Sequence, residues 1–188
     1  MKIKLVYFCL ALAFLSCAKE KGFHDYQMQN VEFDGTILDY LKSKPGVYDS
    51  LLKVIQRVGM EKALNDSALT LFAPTNGSFQ LAIENLNNTR KKSDQPLEYL
   101  GVVQYEQLDT MMAHYIINGK FLGDSLAQQD GLALLDFRYN HRMQGKLTTS
   151  NSSGYLNGGP QIIEFSDSKN SQFTRNWVTT TTASINIK

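Results

Sequence analysis

The sequence predicts an α+β domain. Segments with helical periodicity fill the first half, and strand-like segments separated by strong turn signals fill the second. The two kinds do not alternate, which argues against a parallel α/β arrangement.

The helical half opens with Thr36 to Lys44, where Ile37, Leu38 and Leu41 recur at helical spacing before Pro45-Gly46 breaks the pattern. Tyr48 to Leu64 is the strongest helical segment. Leu51, Leu52, Ile55 and Val58 share one face, Lys53, Gln56 and Arg57 face away, and Gly59 is a point of interruption. Leu69 to Ala73 reads as a buried strand stopped by Pro74. Thr75 or Asn76 then caps a helix running to about Leu86, with Phe79, Ile83 and Leu86 as its apolar face. Asn85 to Pro96 is polar and aperiodic and reads as a loop. Tyr105 to Tyr115 returns to helix, with Leu108, Met111, Met112 and Tyr115 on one side.

After Gly119 the period changes. Leu132 to Phe137, Gln144 to Thr149, Gln161 to Phe165 and Trp177 to Ile187 are strand-like. Asn- and Gly-rich turns at 151–154, 157–160 and 167–171 separate the later ones.

The first residues read as an address. Lys2 and Lys4 form a positive start, and Leu5 to Leu15 is an uncharged apolar run. That run is too short to cross a hydrocarbon core, which needs roughly 20 helical residues. Phe14-Leu15-Ser16-Cys17 resembles the lipobox of bacterial lipoproteins, in which a thiolate takes up diacylglycerol. The resemblance implies a signal peptide over 1–16, lipidation at Cys17 and a tether over 17–33. The alternative, an ordinary signal peptide, wants a small-x-small cleavage site that Phe14-Leu15-Ser16 does not supply.

Loss of 1–16 removes Lys2 and Lys4 and takes the formal charge from +1 to −1. A near-neutral body offers no electrostatic footprint for nucleic acid. Cys9 leaves with the leader and Cys17 is consumed by lipid, so no thiol remains for a disulfide or a thiolate metal site. The remaining chain is long enough for one domain burying roughly two-thirds of its unfolded surface.

Thr70-Leu71-Phe72-Ala73-Pro74-Thr75-Asn76-Gly77-Ser78-Phe79 resembles the first signature of fasciclin-like domains. His114-Tyr115-Ile116-Ile117-Asn118-Gly119 is similar to their second, histidine-bearing element. The segments from Thr36 and from Tyr48 match the two helices that open such domains, so the likeness covers 34–188. It implies a fasciclin-like fold, with helices packed on a wedge of mostly C-terminal strands. Thr70, Phe72, Ala73, Pro74, Thr75, Asn76, Phe79, His114 and Gly119 are then structural motif residues. Leu71 and Phe72 alternate along one strand, so both of its faces should be covered. The integrin recognition linked to a Tyr-His pair in animal members does not carry over, because Ala113 precedes His114. Such domains usually close with a further strand beyond the segment matching Thr182 to Ile187, so the chain is expected to be a fragment truncated at its C-terminus. A strand donated by a partner is the alternative.

No serine-nucleophile elbow, zinc-protease helix or phosphate-cradling glycine loop is present. His24, His114 and His141 are far apart in sequence, and Asp124, Asp130 and Asp136 have no recognisable pairing. The expectation is a non-catalytic module with no cofactor and no metal. The resemblances imply a Bacteroidetes-type lipoprotein of the cell envelope, held to the outer membrane through Cys17 and serving adhesion or protein contact. The alternative is an accessory glycan-binding lipoprotein of a polysaccharide-uptake system. Tyr139, Tyr155 and Trp177 in the β-rich half are its candidate sugar contacts.

Overall fold

The computed structural model describes residues 28–188, apart from 129, 153 and 155. Cys17, the leader, residues 18–27 and Tyr155 therefore lie outside the described residues.

Among the described residues, five α-helices lie in the first half of the fold. These are α1 (Ile37–Lys42), α2 (Asp49–Arg57), α3 (Glu61–Asp66), α4 (Asn76–Lys92) and α5 (Tyr105–His114). Thr36 caps α1 reciprocally: its hydroxyl accepts the Asp39 N–H, and the Asp39 carboxylate accepts the Thr36 N–H. The long segment expected over 48–64 divides at Gly59, which sits at φ +68°. The Gly59 N–H bonds to the Gln56 carbonyl and the Met60 N–H to the Ile55 carbonyl. This paired closure is a Schellman motif, and its apolar partners Ile55 and Met60 are both fully buried.

Helix α4 extends beyond the expected end near Leu86 and takes up part of the stretch read as a loop. Its polar tail is held from outside. The Asn87 side chain bonds to both the N–H and the carbonyl of Glu98, and Arg90 pairs with the Glu98 carboxylate at 3.1 Å. Arg90, Lys91 and Lys92 also complement the negative end of the helix dipole. Of its expected apolar face, Phe79 is buried and Ile83 half-buried, but Leu86 is exposed.

Two short strands, β2 (Leu69–Leu71) and β3 (Ile116–Asn118), pair antiparallel, with Thr70 opposite Ile117. A second, four-stranded antiparallel sheet runs in the order β4 (Leu132–Leu135), β5 (Arg142–Thr149), β6 (Gln161–Asp167) and β7 (Val178–Ala183). An antiparallel bridge between Ile117 and Asp136 joins the two sheets. The strand expected over 177–187 divides in two. Its last part, β8 (Ile185–Ile187), leaves β6 and pairs in parallel with β1 (Gln29–Val31). Thus the described end of the stretch read as a tether carries a strand, closed by bonds from the Phe33 N–H to the Lys188 carbonyl and from the Lys188 N–H to the Val31 carbonyl.

The β2–β3 ribbon divides the core. Leu69, Leu71 and Ile116 pack with Leu51, Ile55 and Met112 of the helices and with Met60 between α2 and α3. Phe72 and Ile117 pack on the other side with Leu134, Met143, Ile163 and Phe165 of the sheet. Both faces are covered because alternate side chains of an extended chain point opposite ways.

Candidate functional site

The two sequence motifs meet each other. Thr70 lies opposite Ile117, and the ladder is extended by bonds from the Phe72 N–H to the Tyr115 carbonyl and from the Gly119 N–H to the Ala68 carbonyl. The Thr70 hydroxyl donates to the Gly119 carbonyl and accepts from the Phe121 N–H, both at 2.8 Å. Gly119 stands at φ +98°, and a Cβ there would meet the Phe121 ring at 3.1 Å. Position 119 therefore favours glycine on both backbone and space.

Phe72 stacks on Phe165 with ring centroids 3.9 Å apart and 11° between planes. Ala73 packs against the helical core, and Pro74 is buried in the short link between β2 and α4. Thr75 caps α4, its hydroxyl accepting the Ser78 N–H. Asn76 acts elsewhere. Its Oδ1 accepts the Ser50 N–H at 2.8 Å, and its Nδ2 donates to the Gly46 carbonyl and the Asp49 carboxylate. The first turn of α2 is thus capped from the first turn of α4.

His114 ends α5 and enters a cluster that sequence spacing did not show. Its ring stacks on His141 at 4.4 Å between centroids. Its Nε2 lies 3.6 Å from Oδ2 of Asp136, a fully buried carboxylate. The other oxygen of Asp136 accepts the N–H groups of Arg138 and Tyr139. Among the described residues, Oδ2 has no hydrogen-bond partner. His141 Nε2 lies 2.9 Å from Asp167, which also takes the Lys169 ammonium at 2.6 Å.

Burial and the neighbouring His141 hold the His114 pKa below the ordinary histidine value, although Asp136 and Asp167 pull the other way. Burial pushes Asp167 up, but bonds from Lys169 and His141 outweigh it and leave the carboxyl well below the usual range. Asp109, buried on α5, completes the seam by pairing with Arg138 and accepting the Tyr139 hydroxyl.

A model of the fasciclin domain family matches residues 46–187 of this chain. The chain belongs to the fasciclin domain family. Comparison with curated proteins gives no match. The match spans both fasciclin motifs, whose residues carry the strand pairing and caps described above.

Of the residues expected to contact sugar, Tyr139 and Trp177 each commit their polar tip within the fold. The Tyr139 hydroxyl is on Asp109, and Trp177 Nε1 donates to the Ser171 carbonyl at 2.8 Å. Among the described residues no group of three or more His, Cys, Asp or Glu side chains is placed to hold a metal ion. No described helix is long and apolar enough to cross a membrane.

A groove of about 640 Å³ opens between α2, α4 and the segment before α5. Phe79, Ile83 and Leu100 are among its apolar lining, and Lys53, Gln80, Glu84 and Tyr99 reach it with polar groups. Sequence reasoning missed it because Tyr99 lies in a stretch with no period.

Proposed function

We propose that this fasciclin domain is a non-catalytic adhesion or protein-contact module of the bacterial cell envelope, tethered to the outer membrane by lipid on Cys17. Membership of the fasciclin family is the observation that carries the reading. The chemistry of the His114 cluster agrees with it. Asp109, Asp167 and one oxygen of Asp136 are taken up by cations, a hydroxyl and N–H groups of the fold itself, as expected of a structural seam rather than a reaction centre.

The tether rests on Phe14-Leu15-Ser16-Cys17, where the apolar, small and thiol residues stand in lipobox order. Two or three acyl chains hold a protein firmly, whereas one anchors only marginally. The test is fractionation of cells producing the full chain or Cys17→Ser. The wild type is expected in the membrane pellet and the variant in the soluble envelope fraction. Equal membrane retention of both would contradict the tether.

A further inference from the structure

The geometry points to a binding subsite for a neutral saccharide in the groove between α2 and α4, with Tyr99 as its stacking platform. This rests on the reading of the chain as a binding module and names the class of ligand.

The Tyr99 side chain is 62% exposed, yet the segment carrying it is firmly held. On one side Asn87 grips both backbone groups of Glu98. On the other, Arg57 donates to the carbonyls of Leu100 and Val103 at 2.9 and 2.7 Å. The Tyr99 carbonyl itself accepts the N–H groups of Val102 and Val103. The ring is therefore presented by a fixed backbone, which lowers the ordering cost of stacking a ligand on it.

The opposite wall is equally fixed. Asn76 ties the first turn of α4 to Ser50 and Asp49 of α2, so the helices that carry Gln80, Glu84 and Lys53 cannot easily splay. Among the described residues, the side chains of Lys53, Gln80, Glu84 and Tyr99 make no hydrogen bond, ion pair or ring contact. A clamped groove thus presents an aromatic face, an ammonium, a carboxamide and a carboxylate, all unused by the fold.

That combination selects among ligands. The free ammonium of Lys53 and the free carboxylate of Glu84 balance, while Asp49 adds a carboxylate already engaged by Gly46 and Asn76. An anionic ligand meets two carboxylates, and a cationic one meets Lys53. A hydroxyl-rich neutral ring suits both, because each hydroxyl donates to Glu84 and accepts from Lys53, and the amide of Gln80 does either. The apolar face of a sugar ring covers Tyr99. Pockets of roughly 300–1,000 Å³ are the usual size for small-molecule sites.

The test is calorimetry of the purified full chain against the hexaoses of β-1,4-glucan, β-1,4-xylan, β-1,4-mannan and β-1,3-glucan, with hexa-arginine as the charged comparison. At least one hexaose is expected to bind. Tyr99→Ala should weaken it by about tenfold or more, a loss of roughly 1.4 kcal/mol. Glu84→Gln should also weaken it, and Tyr99→Phe and Trp177→Ala should leave it unchanged. Thermal midpoints report folding, and Glu84→Gln carries the test if Tyr99→Ala does not fold. The proposal is overturned if no hexaose binds at millimolar concentration, if binding survives both Tyr99→Ala and Glu84→Gln, or if only hexa-arginine binds. Loss of hexaose binding with membrane retention intact would remove this subsite and leave the tethered module standing.

Discussion

The side-chain oxygen of Asn76, the first residue of α4, accepts the backbone N–H of Ser50 at the start of α2 at 2.8 Å. One residue thereby caps a helix to which it does not belong, and its amide reaches back to Gly46 and Asp49. Asn76→Ala should leave the partly buried Ser50 N–H without this acceptor and cost about 1–2 kcal/mol. Asn76→Asp keeps the acceptor but sets a second carboxylate beside Asp49, so it should not restore full stability. Urea unfolding of the three proteins checks the order, and equal stability of wild type and Asn76→Ala would refute the cap.

Phe72 fills the sheet side of the divided core, where it stacks on Phe165. Phe72→Ala should cost about 3–5 kcal/mol, because the cavity opens between elements that cannot collapse onto it. Phe72→Leu should cost visibly less. The measurement is the shift in denaturation midpoint at constant slope.

Thr70 offers a sharper contrast. Its hydroxyl serves two backbone groups, the Gly119 carbonyl and the Phe121 N–H. Thr70→Val keeps the shape and leaves both groups unpaired, at a cost of about 1–3 kcal/mol. Thr70→Ser keeps the hydroxyl and should lose less. Should valine prove as stable as threonine, the hydroxyl would not be holding the two motifs together.

Stability should also fall on mild acidification. The groups facing His114 are Asp136, His141, Asp167 and Lys169, and together with burial they leave its folded pKa below the ordinary value. The unfolded chain therefore takes up the proton first as pH drops through about 6.5. The stability linked to His114 is present above that pH and is lost below it. Asp167, also depressed, adds a second loss at lower pH, below about 3.9. Unfolding midpoints at pH 7.5 and 5.5 should differ, and His114→Gln should narrow the gap. A protein that becomes more stable between those two values would reverse the assigned sign.

Much of the fold was legible because it rests on local signals. The alternation of Leu71 and Phe72 announced a strand covered on both faces, and the structure places one in each half of the core. Thr75 marked where α4 starts, whereas β2 stops at Leu71, before the Ala73 that the sequence suggested. What failed was the part held by distant partners. The tail of α4 has no apolar period, and it stays helical through Asn87 and Arg90 reaching the returning chain at Pro96 and Glu98. The pairing of β1 with β8 joins opposite ends of the described chain, which no local pattern announces.

The candidate sites divide the same way. The roles of Thr70 and Thr75 follow from turn and capping chemistry, whereas Asn76 looked like a local cap and serves another helix. His114 and His141 stack only because the β4–β5 turn folds back over the end of α5, fastened by Asp109 and Asp136. Spacing carries no trace of that return.

The proposed role of this fasciclin domain is to bind a partner without transforming it. Beads coated with the purified full chain, mixed with envelope preparations of a lipoprotein-bearing bacterium, test it most directly. Saturable adhesion that soluble protein competes away, with the envelope polymers recovered unchanged, is the expected result. Beads that behave like uncoated ones while the protein breaks down an envelope polymer would contradict the account.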